Sequence, residues 1–139
     1  MTLYRFELAF DGEIQNVGLF HGIYDAVPDE IEIAAFEQMF HMLAAPELNE
    51  KAEFWFKPAG LIRLANALLK TQALLEQYNW QLVLMTRQPG QEPVIYQDRD
   101  QIALQANSNM TKTILDGKQQ LQNIINKAVR ETELQESIS

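Results

Sequence analysis

The sequence predicts an α+β fold: a mixed or mostly antiparallel sheet of about five strands, with two helices packed on it and a longer C-terminal helix. Three observations predict it. Apolar residues alternate strictly near the N-terminus, which is the period of a half-buried strand. Two later stretches carry apolar residues every three or four positions, the period of a helix. Turn dipeptides near both ends, Asp11-Gly12 and Pro89-Gly90, favour hairpins and hence antiparallel pairing.

The elements follow in order. Tyr4, Phe6, Leu8 and Phe10 share one face, and Arg5 and Glu7 the other. Asp11-Gly12 tolerates positive φ and predicts a tight turn into a second strand over 13–20. Gly18 and Gly22 weaken that strand and mark a bulge or a close backbone approach. Pro28-Asp29-Glu30 opens the first helix, because proline suits the first turn and acids there oppose the helix dipole. Its apolar stripe is Ile31, Ala35, Phe36, Met39, Phe40 and Leu43, and Pro46 closes it. Residues 52–57 read as a strand. Pro58 starts the second helix, which runs to about Tyr78. Residues 80–86 form a further strand, with shorter ones at 93–97 and 101–105 around Asp98-Arg99-Asp100. Asn107-Ser108-Asn109 offers a cap for a third helix from Met110 to about Arg130. Residues 1–130 are expected to form one globular domain, with 131–139 a frayed polar tail.

Composition limits the chemistry. The chain has 139 residues and no cysteine, so it has no thiolate nucleophile, disulfide or zinc–thiolate site. The N-terminus lacks the basic and apolar regions of a signal peptide, and no stretch approaches the ~20 apolar residues of a membrane span. A cytoplasmic location without membrane contact is expected. The net charge is −8, unevenly placed. Residues 1–53 carry eleven acids against two bases, a net −9, whereas residues 54–139 carry eight acids against nine bases, a net +1. Direct nucleic-acid binding is disfavoured, because phosphate contacts need clustered lysine and arginine. An acidic half suits a protein partner with a basic surface; as a plain solvated face it only keeps the chain in solution. Acids at phosphate spacing would instead mimic nucleic acid, but the bases of the second helix oppose this.

The reactive side chains are few. His21-Gly22-Ile23-Tyr24-Asp25 is the most varied cluster: His21 is a candidate general base, and Tyr24 and Asp25 its orienting partners. A loop in which Tyr24 packs and Asp25 caps explains the same residues. Glu37 and His41 stand one helical turn apart, as an exposed pair rather than a metal site, which needs three or four ligands. Lys57 and Arg63 flank a strand-to-helix junction that is a candidate anion site, although Lys57-Pro58-Ala59-Gly60 is not a phosphate-binding motif. Asp98-Arg99-Asp100 reads as a local ion-pair cluster. Trp55 faces opposite to Phe54 and Phe56, and is either buried in a central strand or exposed as an interface anchor. Met110, Ile114, Gly117, Leu121, Ile124 and Ala128 make a heptad-like stripe. It packs on the chain's own sheet or pairs two copies as a homodimer through Met110 to Ala128.

Taken together, the sequence predicts a small acidic, non-catalytic binding or regulatory protein, of adaptor, inhibitor or immunity type, acting through protein–protein contacts. No cofactor or metal is implied. Its candidate binding residues are Asp29, Glu30, Glu37, His41, Trp55, Lys57 and Arg63. The alternative is a small enzyme on a soluble, anionic substrate, using His21 with Tyr24 and Asp25 beside Lys57 and Arg63.

Overall fold

The N-terminal alternation becomes β1 (Leu3–Phe10), the middle of an open antiparallel sheet in a computed structural model that describes residues 1–48, 51–106 and 110–138. The fold is α+β, with seven strands and five helices among the described residues. Asp11 and Gly12 have φ of 52° and 82°, the left-handed pair that a two-residue hairpin requires. They return the chain into β2 (Glu13–Gly18), whose pairing with β1 shifts register between Glu7 and Ala9.

The chain then departs from the strand predicted to Phe20. Gly18 ends β2, and Leu19–Ala26 is a helix, α1. Leu19, Ile23 and Ala26 are buried at helical spacing. Gly22 is required by contact: a Cβ there would lie 2.6 Å from Leu8 Cδ1, so α1 rests its backbone on the sheet. A glycine that weakens helix propensity by about 1 kcal/mol is what brings this helix close enough to pack.

α2 (Glu30–Met39) begins as predicted. Asp29 Oδ1 accepts from the N–H groups of Ile31 at 2.8 Å and Glu32 at 3.3 Å. Replacing Asp29 by Ala should cost about 1 kcal/mol of stability, read from urea unfolding; an unchanged midpoint would mean the cap is energetically idle. The helix ends before Pro46, because Phe40 takes φ −111° and ψ 9°. Of its stripe, Phe36 and Phe40 are buried, but Ile31 is 81% exposed and Ala35 is also exposed.

β3 is Glu53–Phe56. The single helix predicted from Pro58 is two, α3 (Pro58–Arg63) and α4 (Ala65–Gln77). Leu64, at φ −104° and ψ 15°, divides them. Backbone bonding continues across the turn, from Leu64 N to Gly60 O and from Leu68 N to Leu64 O.

β4 (Trp80–Arg87) pairs with β1 from Leu3↔Arg87 to Phe10↔Trp80. β5 (Val94–Gln97) and β6 (Gln101–Leu104) form a hairpin. Asp98 Oδ1 turns it by accepting from the N–H groups of Asp100 and Gln101, both at 2.8 Å.

The C-terminal helix needs the largest correction. Thr111–Ile114 is a strand, β7, paired with β4, and the helix α5 is Lys118–Ile138. Gly117 has φ 88°, a left-handed conformation that stops a helix from running through it. The 110–128 stripe is therefore two unrelated segments. Met110 packs against the cluster of Leu3, Trp55, Met85, Ile102 and Leu104, while Leu121, Ile125 and Ala128 are buried in the chain's main core. α5 runs past Arg130, the expected point of fraying, because 131–135 is rich in strong helix formers. The Asn107-Ser108-Asn109 cap lies outside the described residues.

The strand order is β5-β6-β3-β1-β4-β7, with β2 also on β1. One face carries the helices and the main core, which includes Phe6, Leu8, Ile23, Phe56, Leu68 and Leu82. The opposite face holds a smaller cluster of Leu3, Trp55, Met85, Ile102 and Leu104. The extra strands and helices beyond the predicted number are four to eight residues long, too short for periodicity to declare them.

Candidate functional site

β1 has two edges, and β4 fills one along its whole length. The other is shared: β2 pairs with β1 at Glu7 to Phe10, and β3 pairs with it at Tyr4. The two strands diverge from that edge, and the sheet forks. Arg5 sits at the fork. Its Nη1 donates to Phe54 O at 2.9 Å, taking the place of a ladder bond.

Above the fork lies a cavity of about 420 Å³. Its floor is Arg5, Phe6, Gly18, Phe54 and Phe56. Leu19, Phe20, His21 and Tyr24 of α1 form one wall, and Phe36, Glu37 and Phe40 of α2 form another. Leu43, Ala44 and Ala45 close the third side. Gln101, buried in β6, donates from Nε2 to Ala44 O at 3.0 Å and pins that segment in place.

The lining is aromatic for a local reason. α1 follows β2 without a loop, and α2 crosses beside it, so both helices turn phenylalanines toward the fork. Phe20, Phe36 and Phe40 have ring centroids 5.0 to 5.8 Å apart, with Phe20 edge-on to Phe40. Such tilted and edge-on pairs are the favoured arrangements of aromatic rings. Phe6 and Phe56 meet edge-on at 6.1 Å. A cavity of this size, mostly apolar with a few convergent polar groups, has the character of a small-molecule site.

The polar groups are few. Tyr24 O–H donates to Glu37 Oε1 at 2.8 Å and ties α1 to α2 at the rim. That hydrogen bond, then desolvation and the Glu37 charge, raise the Tyr24 pKa above its ordinary value. His21 is exposed on the same rim. Arg5 is half-buried, and its Nε is buried without a hydrogen-bond partner.

The residues singled out in the sequence scatter across the fold. His21, Tyr24 and Glu37 meet at the cavity. Asp25 is exposed and is not part of its lining. Asp29 caps α2, and Glu30 follows it in the first turn. His41 Nδ1 lies 2.7 Å from Gln38 O, so His41 bonds its own chain while Glu37 holds Tyr24. Trp55 is 1% exposed, buried on the opposite face.

Lys57 and Arg63 gather instead at the β5–β6 turn. Lys57 Nζ donates to Asp98 O at 3.0 Å, and Arg63 pairs with Asp100. Asp98 there is pushed up by burial, but Tyr96 O–H, the N–H groups of Gln101 and Asp100, and nearby Lys57 outweigh this. Its pKa is lowered from 3.8. A lowered folded-state pKa stabilises the fold above the unfolded value, and the effect is lost as pH falls through the folded one. Stability should therefore decline below about pH 5, and Asp98→Asn should flatten that slope in acid unfolding. An unaltered slope would show that Asp98 does not supply it.

The sequence does not single out Arg5, Phe20, Phe54 or Gln101. Arg5 carries the period of a solvent-facing strand residue, and only the fork, made by two distant strands on one edge, turns it into a cavity floor. Among the described residues no group of three histidines or carboxylates is arranged to hold a metal ion, and no helix is long and apolar enough to cross a membrane. No family model, curated protein or solved structure matches the chain.

Proposed function

We propose that this chain is a non-catalytic binding protein whose binding element is the aromatic cavity between α1, α2 and the sheet fork. The cavity itself carries the proposal: about 420 Å³, lined by seven aromatic side chains and opening beside exposed Phe20 and Tyr24. Seating an apolar group there removes it from water and gains about 25 cal/mol per Å² buried. The enzyme alternative has less support. His21 and Tyr24 share the rim, but the Tyr24 hydroxyl is committed to Glu37, and Asp25, Lys57 and Arg63 lie off the cavity.

The test uses N-phenyl-1-naphthylamine, a neutral dye that brightens in apolar surroundings. Wild-type chain should brighten it saturably. Ala45→Phe, which places a ring at the exposed rim, should weaken binding by roughly tenfold, equivalent to ~1.4 kcal/mol. Equal binding by both chains, or none by either, contradicts the proposal.

A second reading, a protein partner with a basic surface, rests on α2. Ile31 is 81% exposed beside Glu30 and Glu32, in a helix with no basic residue. It predicts partner capture that is lost both at high salt, which screens exposed charge, and in Ile31→Asp. Capture indifferent to both contradicts it. Self-association through the 110–128 segment has no comparable support, since Leu121, Ile125 and Ala128 are buried within the chain.

A further inference from the structure

We infer that the ligand of the cavity is a small carboxylate with an aromatic or otherwise apolar body, its carboxylate held by Arg5 at the sheet fork. The inference rests on the cavity being the binding site, as proposed above, and adds the chemistry of the ligand.

Arg5 carries the argument. The ion pairs among the described residues are Arg63–Asp100, Arg87–Glu92, Arg99–Asp100 and Lys112–Glu7. Arg5 belongs to none of them. Glu7, two residues along the same face of β1, is committed to Lys112 at 3.3 Å. Among the described residues the guanidinium has one hydrogen-bond acceptor, the neutral Phe54 O, and it stands half-buried at the base of a mostly apolar cavity. A buried charge without a counter-charge is costly. A planar fork of N–H donors is the protein group best matched to a carboxylate.

Two further features favour an anion at the same place. Arg5 Nη2 borders Gly18, where an added Cβ would lie 3.4 Å from it, and that side of the guanidinium is left uncovered because residue 18 has no side chain. Gly18 has φ −60° and ψ 149°, a conformation open to any residue. Its lack of a side chain is therefore not demanded by the backbone. Gly18 is also the N-cap of α1, which has no side-chain cap and no acid in its first turn. The positive end of that helix adds to the field at the fork. The walls then select the rest of the molecule: Phe20, Phe36, Phe40 and Phe54 offer ring faces and edges to an apolar body.

The test is a matched pair of probes, 2-naphthylacetate and 2-(2-naphthyl)ethanol, titrated calorimetrically into the full chain at pH 7. The acid should bind at least about tenfold tighter than the alcohol, the lower end of what charge-assisted hydrogen bonds supply. Arg5→Gln should bring the ratio of acid to alcohol affinity down to about one. Gly18→Val leaves Arg5 in place but covers Nη2, and should also reduce the ratio, which protects the test should Arg5→Gln fold poorly. Equal binding of acid and alcohol by wild type would overturn the carboxylate and leave the cavity as the site. Binding of neither, by a folded chain, would overturn both. A preference that survives both substitutions would overturn Arg5 as the holding group.

Discussion

A Gly60→Ala chain is expected to melt about 10 °C or more below the wild type, a large effect for one methyl group. Gly60 lies in α3, facing the β5–β6 turn. A Cβ built on it would stand 2.1 Å from Asp100 O, 2.8 Å from Asp100 C and 2.9 Å from Asp100 Cα. These are backbone atoms, and they are held. Asp100 O accepts from Lys57 N at 2.9 Å, and the Asp100 carboxylate pairs with Arg63. The methyl can fit only if α3 and the turn separate, which breaks both links and costs about 3 kcal/mol or more. Scanning calorimetry reads the effect; a loss under about 2 °C would mean that the turn yields freely and does not brace α3.

Trp55→Ala is the second large effect, with an expected loss of about 3–5 kcal/mol in urea unfolding. Trp55 is 1% exposed within the cluster of Leu3, Met85, Ile102 and Leu104. The Arg87 guanidinium lies 5.6 Å from its ring centroid. Arg87 is itself buried and paired with Glu92, and its Nη1 has no hydrogen-bond partner. Removing the indole would take the ring from under a buried charge as well as opening a cavity. Trp55→Phe should recover part of the loss. A surface tryptophan would cost under about 0.5 kcal/mol, so the measurement separates a core role from an interface one.

What the sequence discloses depends on how local its cause is. β1 and β4 are eight residues long with clear patterning, and both appear where predicted. Asp11-Gly12 and Asp29 act through their own turn and cap, and both are readable from their neighbours; Asp98 reads only as part of an ion-pair cluster, whereas its carboxylate turns the β5–β6 hairpin. α1 is hidden because Gly18 and Gly22 read as weak points of a strand; the close backbone approach expected there is found at Gly22, against Leu8, but a helix makes it. β7 is hidden because four residues fit a strand or a helix, and only pairing with β4 decides between them. The stripe through Met110 and Gly117 misleads for the same reason: spacing cannot report that Gly117 is left-handed.

The candidate site is legible only in its rim. His21, Tyr24 and Glu37 stand out by residue type, but the sequence groups Glu37 with His41 and the other two with Asp25, whereas the cavity joins these three and leaves Asp25 and His41 out. Its floor is not legible. Arg5 alternates like a solvent-facing residue, and its surroundings come from Gly18 and Phe54, far apart in the chain. The charge asymmetry of residues 1–53 is visible, but Asp29, Glu32 and Glu37 each serve a hydrogen bond within the fold, to the α2 N-terminus, Tyr78 and Tyr24. Their count alone therefore says little about a partner.

The most direct measurement is a map of backbone amide shifts while 2-naphthylacetate is titrated into the wild-type chain. The binding account predicts a saturable set of shifts around the fork and its walls, at Arg5, Gly18, Leu19, Phe36, Phe40 and Phe54. Shifts gathered on the opposite face near Trp55 and Arg87, or none at millimolar probe, would contradict it.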